Sequence, residues 1–128
     1  MGALVNAMAL FAQSVMENIA AKTATFNGTA FDTLDHDGQV GITQLVGVVS
    51  GTTPTLDGKV QSSDTSGGTY ADVPGATFTQ VTVTNNHQRK VVDLNNCKRF
   101  IRYVGNIAGT TPSFTVGVLF EGLKKVQP

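Results

Sequence analysis

The chain has one cysteine, no tryptophan and two histidines in 128 residues. A single cysteine excludes an intrachain disulfide, so a fold of this length rests on its own core. Cys97 reads as a small buried hydrophobe rather than a reactive thiol. Charge is scarce as well, at 14% of residues with a net charge of zero. That excludes a global attraction to nucleic acid or to an anionic membrane. The few charges are unevenly placed. Residues 1–64 hold two lysines against six acids, and residues 65–128 hold seven Lys/Arg against three acids. Opposite-signed halves can meet within one fold or between neighbouring copies. Apolar content is 41%, near the globular norm, and 14 glycines with abundant Thr and Ser fill the gap left by charge. This is the composition of a β protein rich in turns, with a surface suited to being covered by partners.

No uninterrupted apolar run reaches membrane length. The segment "MGALVNAMALFAQSVMENIAAK" has no charge before Glu17, but Asn6, Gln13, Ser14 and Asn18 interrupt it, and a span needs about 20 apolar residues. It also lacks the basic start of a signal peptide, since Lys22 is its first cation. Neither export nor membrane insertion is expected. Leu4, Met8, Phe11, Val15 and Ile19 are spaced 4, 3, 4, 4, which predicts one stripe of a helix. Val5, Leu10 and Met16 make the other side apolar too, so such a helix needs burial on more than one side. Residues 1–22 are therefore expected to form an apolar arm, helical or extended. It either packs on its own domain or docks on a neighbouring subunit or another protein.

From Thr23 onward the helical period disappears. Short runs of Val, Ile, Thr and Phe predict strands near 23–27, 30–34, 40–49, 55–63, 69–72, 77–84, 88–94, 99–108 and 113–124. Asn27-Gly28, Asp37-Gly38, Ser66-Gly67-Gly68, Pro74-Gly75 and Asn85-Asn86 read as turns between them. So many short strands with no helices between them predict an all-β antiparallel β-sandwich over residues 23–128, jelly-roll-like with eight strands. Within it "SGTTPTLDGKV" (50–60) returns 58 positions later as "AGTTPSFTVGV" (108–118). Glycine permits a turn, proline has no N–H for a ladder, and Thr53 or Thr111 before it is expected to be extended. Each Gly-Thr-Thr-Pro block is thus expected to end one strand and begin the next, at related positions of the two sheets.

Sites of chemistry are sparse. "DHDGQ" (35–39) fails as a calcium loop because the twelfth residue from Asp35 is Val46, not Glu. His36, His87 and Cys97 are too few for a zinc site unless scattered acids converge on them, and a Cys97/His87 nucleophilic pair has no local signature. There is no nucleophile elbow and no phosphate-binding glycine loop. No catalytic residue, metal or cofactor is expected. Arg89, Lys90, Lys98, Arg99 and Arg102, with Phe100 and Tyr103 interleaved, could line a single-stranded nucleic-acid site. Asp93 interrupts the cluster, and the reading preferred is a strand at a domain edge or subunit contact, with no nucleic acid bound. Strand alternation over 98–104 sends Arg99, Ile101 and Tyr103 to one face, and Lys98, Phe100, Arg102 and Val104 to the other.

Two ordered stretches, "VQSSDTSGGTYADVPGATFTQV" (60–81) and "KVVDLNNCKRFIRYVGNIAGTTPSFTVGVLFEGLKK" (90–125), resemble segments of the capsid decoration, or cement, proteins of tailed bacteriophages. The likeness covers roughly Phe26 to Lys125 and leaves Met1 to Ala21 unmatched. It implies a β-sandwich made in the host cytoplasm, placed on the capsid surface of the virion, and needing no disulfide, cofactor or active site. Its partners would be the major capsid protein and further copies of itself, as a homodimer or homotrimer. Candidate partner or subunit contacts are Leu4, Met8, Phe11, Val15, Ile19, Arg99, Arg102 and Tyr103. The alternative is a virion-displayed glycan- or receptor-binding module. Only Tyr70 and Tyr103 could serve it as platforms beside the phenylalanines.

Overall fold

The structure is a computed structural model and describes residues 11–124. It is all-β and antiparallel. Among the described residues seven strands run in chain order: β1 (Phe11–Lys22), β2 (Phe26–Asn27), β3 (Phe31–Asp32), β4 (His36–Ser63), β5 (Ala71–Thr77), β6 (Asn86–Asp93) and β7 (Phe100–Lys124). A short 3-10 turn, Leu94–Asn96, leads from β6 toward β7 and is capped by the Asp93 carboxylate on the Asn95 N–H.

Two long strands, β4 and β7, pair with each other along nearly their whole length and hold everything else. The N-terminal half of β4 and the C-terminal half of β7 are flanked by β6 and β1. The other halves are flanked by β5 and by β2 and β3. The paired ribbon bends in the middle, so these two groups of strands become two layers with a shared core. Ile42, Val46, Phe114, Val116 and Phe120 come from one layer and Leu56, Val60, Ile101 and Tyr103 from the other, all fully buried. The rings of Phe31 and Phe120 meet across the layers at 4.5 Å between centroids. Each such side chain removed from water contributes about 1.5–3 kcal/mol, which makes this core the main source of stability.

The repeated phrase lies at the bend. Both Gly-Thr-Thr-Pro blocks sit inside continuous strands, so the expectation that they connect separate strands is corrected. Thr52 pairs with Thr110, and the ladder slips by one residue on β7 just before and by one on β4 just after. The two bulges cancel and the register recovers. Gly51 has φ +111 and Gly109 φ +122. Each glycine lies against the opposite block: a Cβ on Gly51 would stand 2.9 Å from Pro112 Cα, and one on Gly109 2.9 Å from Pro54 Cα. Thr53 and Thr111 are left-handed, with φ of 47 and 46, not extended as a residue before proline usually is. Both lie at the paired bulges of the bend, where each strand carries two positive-φ residues, Gly51 with Thr53 and Gly109 with Thr111. Each threonine hydroxyl donates to the preceding carbonyl at 2.8 Å.

The symmetry extends beyond the block. The Thr84 hydroxyl lies 3.0 Å from the Val49 amide nitrogen, and the Thr25 hydroxyl 3.0 Å from that of Ile107, 58 positions on. Asn86 pairs with Val46 as Asn27 pairs with Val104. Ala71 pairs with Ser62 as Ser14 pairs with Phe120. Residues 11–63 and 71–124 are therefore two copies of one unit, an edge strand, a second edge strand and a long bent strand. A pseudo-dyad between Thr52 and Thr110 exchanges the layers.

Of the two forms expected for the N-terminal arm, helical or extended, Phe11–Lys22 takes the extended one, as a strand, and the helical stripe is not formed there. A spacing of four residues fits two pleats of a strand as well as one helical turn. The single spacing of three between Met8 and Phe11 carried the distinction, and Leu4 and Met8 lie outside the described residues. β1 has irregularities between Val15 and Glu17 and between Glu17 and Ala20. They bury Met16 and leave Val15 and Ile19 on the outer surface.

Candidate interaction surface

Register alone assembles the outer face of the layer formed by β1, β7, β4 and β6. One row runs Val15, Leu119, Thr43, Arg89. The next runs Gly117, Leu45, His87, with Ile19 lying on Gly117, whose absent Cβ would stand 3.1 Å from that of Ile19. Val15, Ile19, Leu45, Gly117 and Leu119, together with Glu17 and Asn18, thereby line a mostly apolar groove of about 240 Å³. Arg89 reaches over Gly41 at the β6 side of this face.

The pseudo-dyad supplies a comparison within the same molecule. In the other layer the row equivalent to Val15–Leu119–Thr43 is Asp72–Gln61–Arg102. These side chains bond to one another. The Gln61 amide donates to Asp72 at 2.9 Å, Arg102 donates to Gln61 Oε1 at 2.9 and 3.1 Å, and Lys59 lies 3.0 Å from Asp72. Hydrogen bonding from Gln61, and then from Lys59, holds the Asp72 carboxyl below its ordinary value. Arg102 also covers Tyr70, 4.1 Å from the ring centroid. One layer therefore shows a self-satisfied polar surface where the other shows the aliphatic pair Val15 and Leu119.

A second depression, about 230 Å³, is lined by Thr33, His36, Cys97, Lys98, Arg99 and neighbours. Burial, and then the Asp93 charge, pushes the Cys97 thiol up, so it stays protonated at neutral pH and is a poor nucleophile. Arg99 is held by Asp32 through two bonds of 3.0 and 2.8 Å, and this contact lowers the Asp32 carboxyl to about 2. The cleft thus brings His36 and Cys97 together, while His87 stands near the far end of β6 opposite Leu45. Among the described residues no three His, Cys, Asp or Glu side chains converge as a metal site.

The candidate contacts do not form one patch. Val15 and Ile19 share the apolar face, Phe11 pairs with Leu123 at the end of β1, Arg102 belongs to the opposite layer and Arg99 to the cleft. Tyr103 is corrected from a contact to a core residue: it is fully buried and its hydroxyl donates to Gln44 Oε1 at 2.5 Å. Alternation placed Ile101 and Tyr103 together, and both are buried, but Val104, assigned to the opposite face, is buried as well. Leu45 and Leu119 were not singled out from sequence. Their signal was available in the echo of Thr23-x-Thr25-x-Asn27 in Thr82-x-Thr84-x-Asn86, which extends the repeat and aligns the two layers. The uneven charge halves meet within the fold, as Arg99–Asp32 and Lys98–Asp64 show. Among the described residues no helix is long and apolar enough to cross a membrane. No protein-family model matches the chain, and no curated protein is significantly similar to it.

Proposed function

We propose that this chain is a structural virion protein that binds the outside of a bacteriophage capsid and stabilises it. The reading joins the resemblance of residues 26–125 to decoration proteins with one structural observation. In the row Val15–Leu119, Val15 is exposed and Leu119 half-buried, and both are apolar where their pseudo-symmetric counterparts are polar, so the fold itself does not require apolar residues there. A sheet face with an aliphatic centre, flanked by Glu17 and Arg89, suits a large protein partner such as the major capsid protein. The glycan-binding alternative gains less, because Tyr103 is buried and Tyr70 carries Arg102 on its ring.

The test is cosedimentation of the purified chain with empty capsids of the phage that encodes it, followed by cryo-EM of the decorated particles. Leu45→Arg and Leu119→Arg are each expected to abolish binding while leaving the circular dichroism spectrum unchanged. Undiminished binding by both folded variants, or density for the chain away from the capsid exterior, would sink the proposal.

A further inference from the structure

Among the described residues four strand edges bound the two layers, and three of them are blunted in ways that discourage pairing with another chain. β2 and β3 are two residues each. β6 carries His87, Arg89, Lys90 and Asp93. β5 carries Asp72 and Pro74, and its ladder with β4 breaks between Lys59 and Gln61. β1 differs from all three. It is 12 residues long, and Phe11–Val15 pairs without a break to Leu119–Leu123. No charged residue precedes Glu17. The pseudo-dyad sharpens the contrast, since the position equivalent to Val15 is Asp72, two residues before Pro74. One copy's edge is guarded by a charge, a proline and a ladder break, whereas the other's is guarded only from Glu17 on, by that charge and two irregularities, and is open over Phe11–Val15.

We infer that β1 pairs edge to edge with β1 of a second copy of this chain, antiparallel across a two-fold axis. The edge is complementary to itself. A dyad centred on Ser14 or Val15 sets Glu17 opposite Phe11 or Gln13 of the other copy, so no like charges meet. Val15, 54% exposed, would be shielded at the junction by the facing strand of the other copy. The apolar rows of the two copies would join into one continuous face, doubling the surface offered to a capsid. The inference deepens the proposed function by naming the contact between copies, and it takes its biological setting from that reading. The pairing itself stands on the edge alone.

Sedimentation velocity of the full chain at tens to hundreds of micromolar tests it. The wild type is expected to be a dimer, and Gln13→Lys with Val15→Lys together to weaken association by about tenfold or more, because edge lysines place like charges opposite each other. Amide hydrogen exchange of the wild type at high and low concentration covers the case in which the variant does not fold. Protection of β1 amides should rise with concentration and that of β5 and β6 amides should not. Leu45→Arg, on the face and away from the edge, should lose capsid binding yet remain dimeric. A wild-type monomer throughout, a folded lysine variant that stays dimeric, or concentration-dependent protection confined to β5 or β6 would overturn the inference. So would a Leu45→Arg monomer, which would place the contact on the face. Loss of the dimer with capsid binding intact would leave the proposed function standing by itself.

Discussion

The bend between the layers depends on a few backbone angles, and single residues there have outsized effects. Gly51→Ala would place a Cβ at φ +111 and 2.7 Å from the Thr111 carbonyl oxygen. Both the backbone and the contact resist it, and a loss of about 1–3 kcal/mol in chemical denaturation is the expected outcome. Gly109→Ala should cost a similar amount, because its surroundings are the same by symmetry. A second sensitive point is the hydrogen bond between Tyr103 and Gln44, buried between the layers. Burial, and then the charge of Glu17, raises the phenol well above its ordinary value, so it remains a donor at every practical pH. Tyr103→Phe leaves the Gln44 oxygen without this donor and should destabilise the protein by about 1–3 kcal/mol. Gln44 Nε2 has no hydrogen-bond partner among the described residues. Adding Gln44→Leu to Tyr103→Phe should therefore recover part of that loss, which a double-mutant cycle in urea would read.

At the scale of elements, local conformation was legible in the sequence and chain direction was not. Asp37-Gly38 and Pro74-Gly75 read as turns, and Gly38 and Gly75 do have φ of +73 and +76. Both lie inside strands, β4 and β5, where the positive φ makes an irregularity instead of a reversal. A glycine reports that the backbone enters the left-handed region. Whether the chain then turns back depends on the partner strand, which is distant in sequence. The same reasoning explains the Gly-Thr-Thr-Pro blocks. By contrast Ser66-Gly67-Gly68 is a reversal, closed by the Gly68 amide on the Thr65 carbonyl at 3.1 Å. For β1 the sequence leaves helical and extended open, because its apolar spacing fits both periods and its partner, the C-terminal half of β7, lies about a hundred residues away. The all-β class was readable because β-branched runs and turn residues alternate through the chain after Thr23. The apolar face was only half readable, since Val15 and Ile19 stood out, whereas Leu45 and Leu119 acquire their place from register.

For the whole molecule, duplication implies interdependence. Each unit contributes a long strand whose ladder is completed by the other unit, and neither has a closed core without it. Fragments 1–67 and 68–128 are each expected to lack β structure when expressed alone. Mixed or co-expressed, they should recover the wild-type circular dichroism spectrum. A fragment that folds by itself as a monomer would contradict the interdependence. Because β4 and β7 pair residues far apart in sequence, folding of the intact chain should also be slow for its size, in the range of milliseconds to seconds.

The uninterrupted passage of β4 and β7 through both layers also has a mechanical consequence. In sandwiches whose layers are joined by loops, a tangential pull can slide one sheet over the other with only side chains resisting. Here two covalent backbones cross the boundary side by side, each locked to the other by ladder hydrogen bonds on both sides of the bend. A force applied to one layer is carried along the ribbon and loads those bonds in shear, many at once, instead of peeling them one at a time. The reciprocal seating of Gly51 on Pro112 and Gly109 on Pro54 keeps the fold line from travelling along the strands under that load.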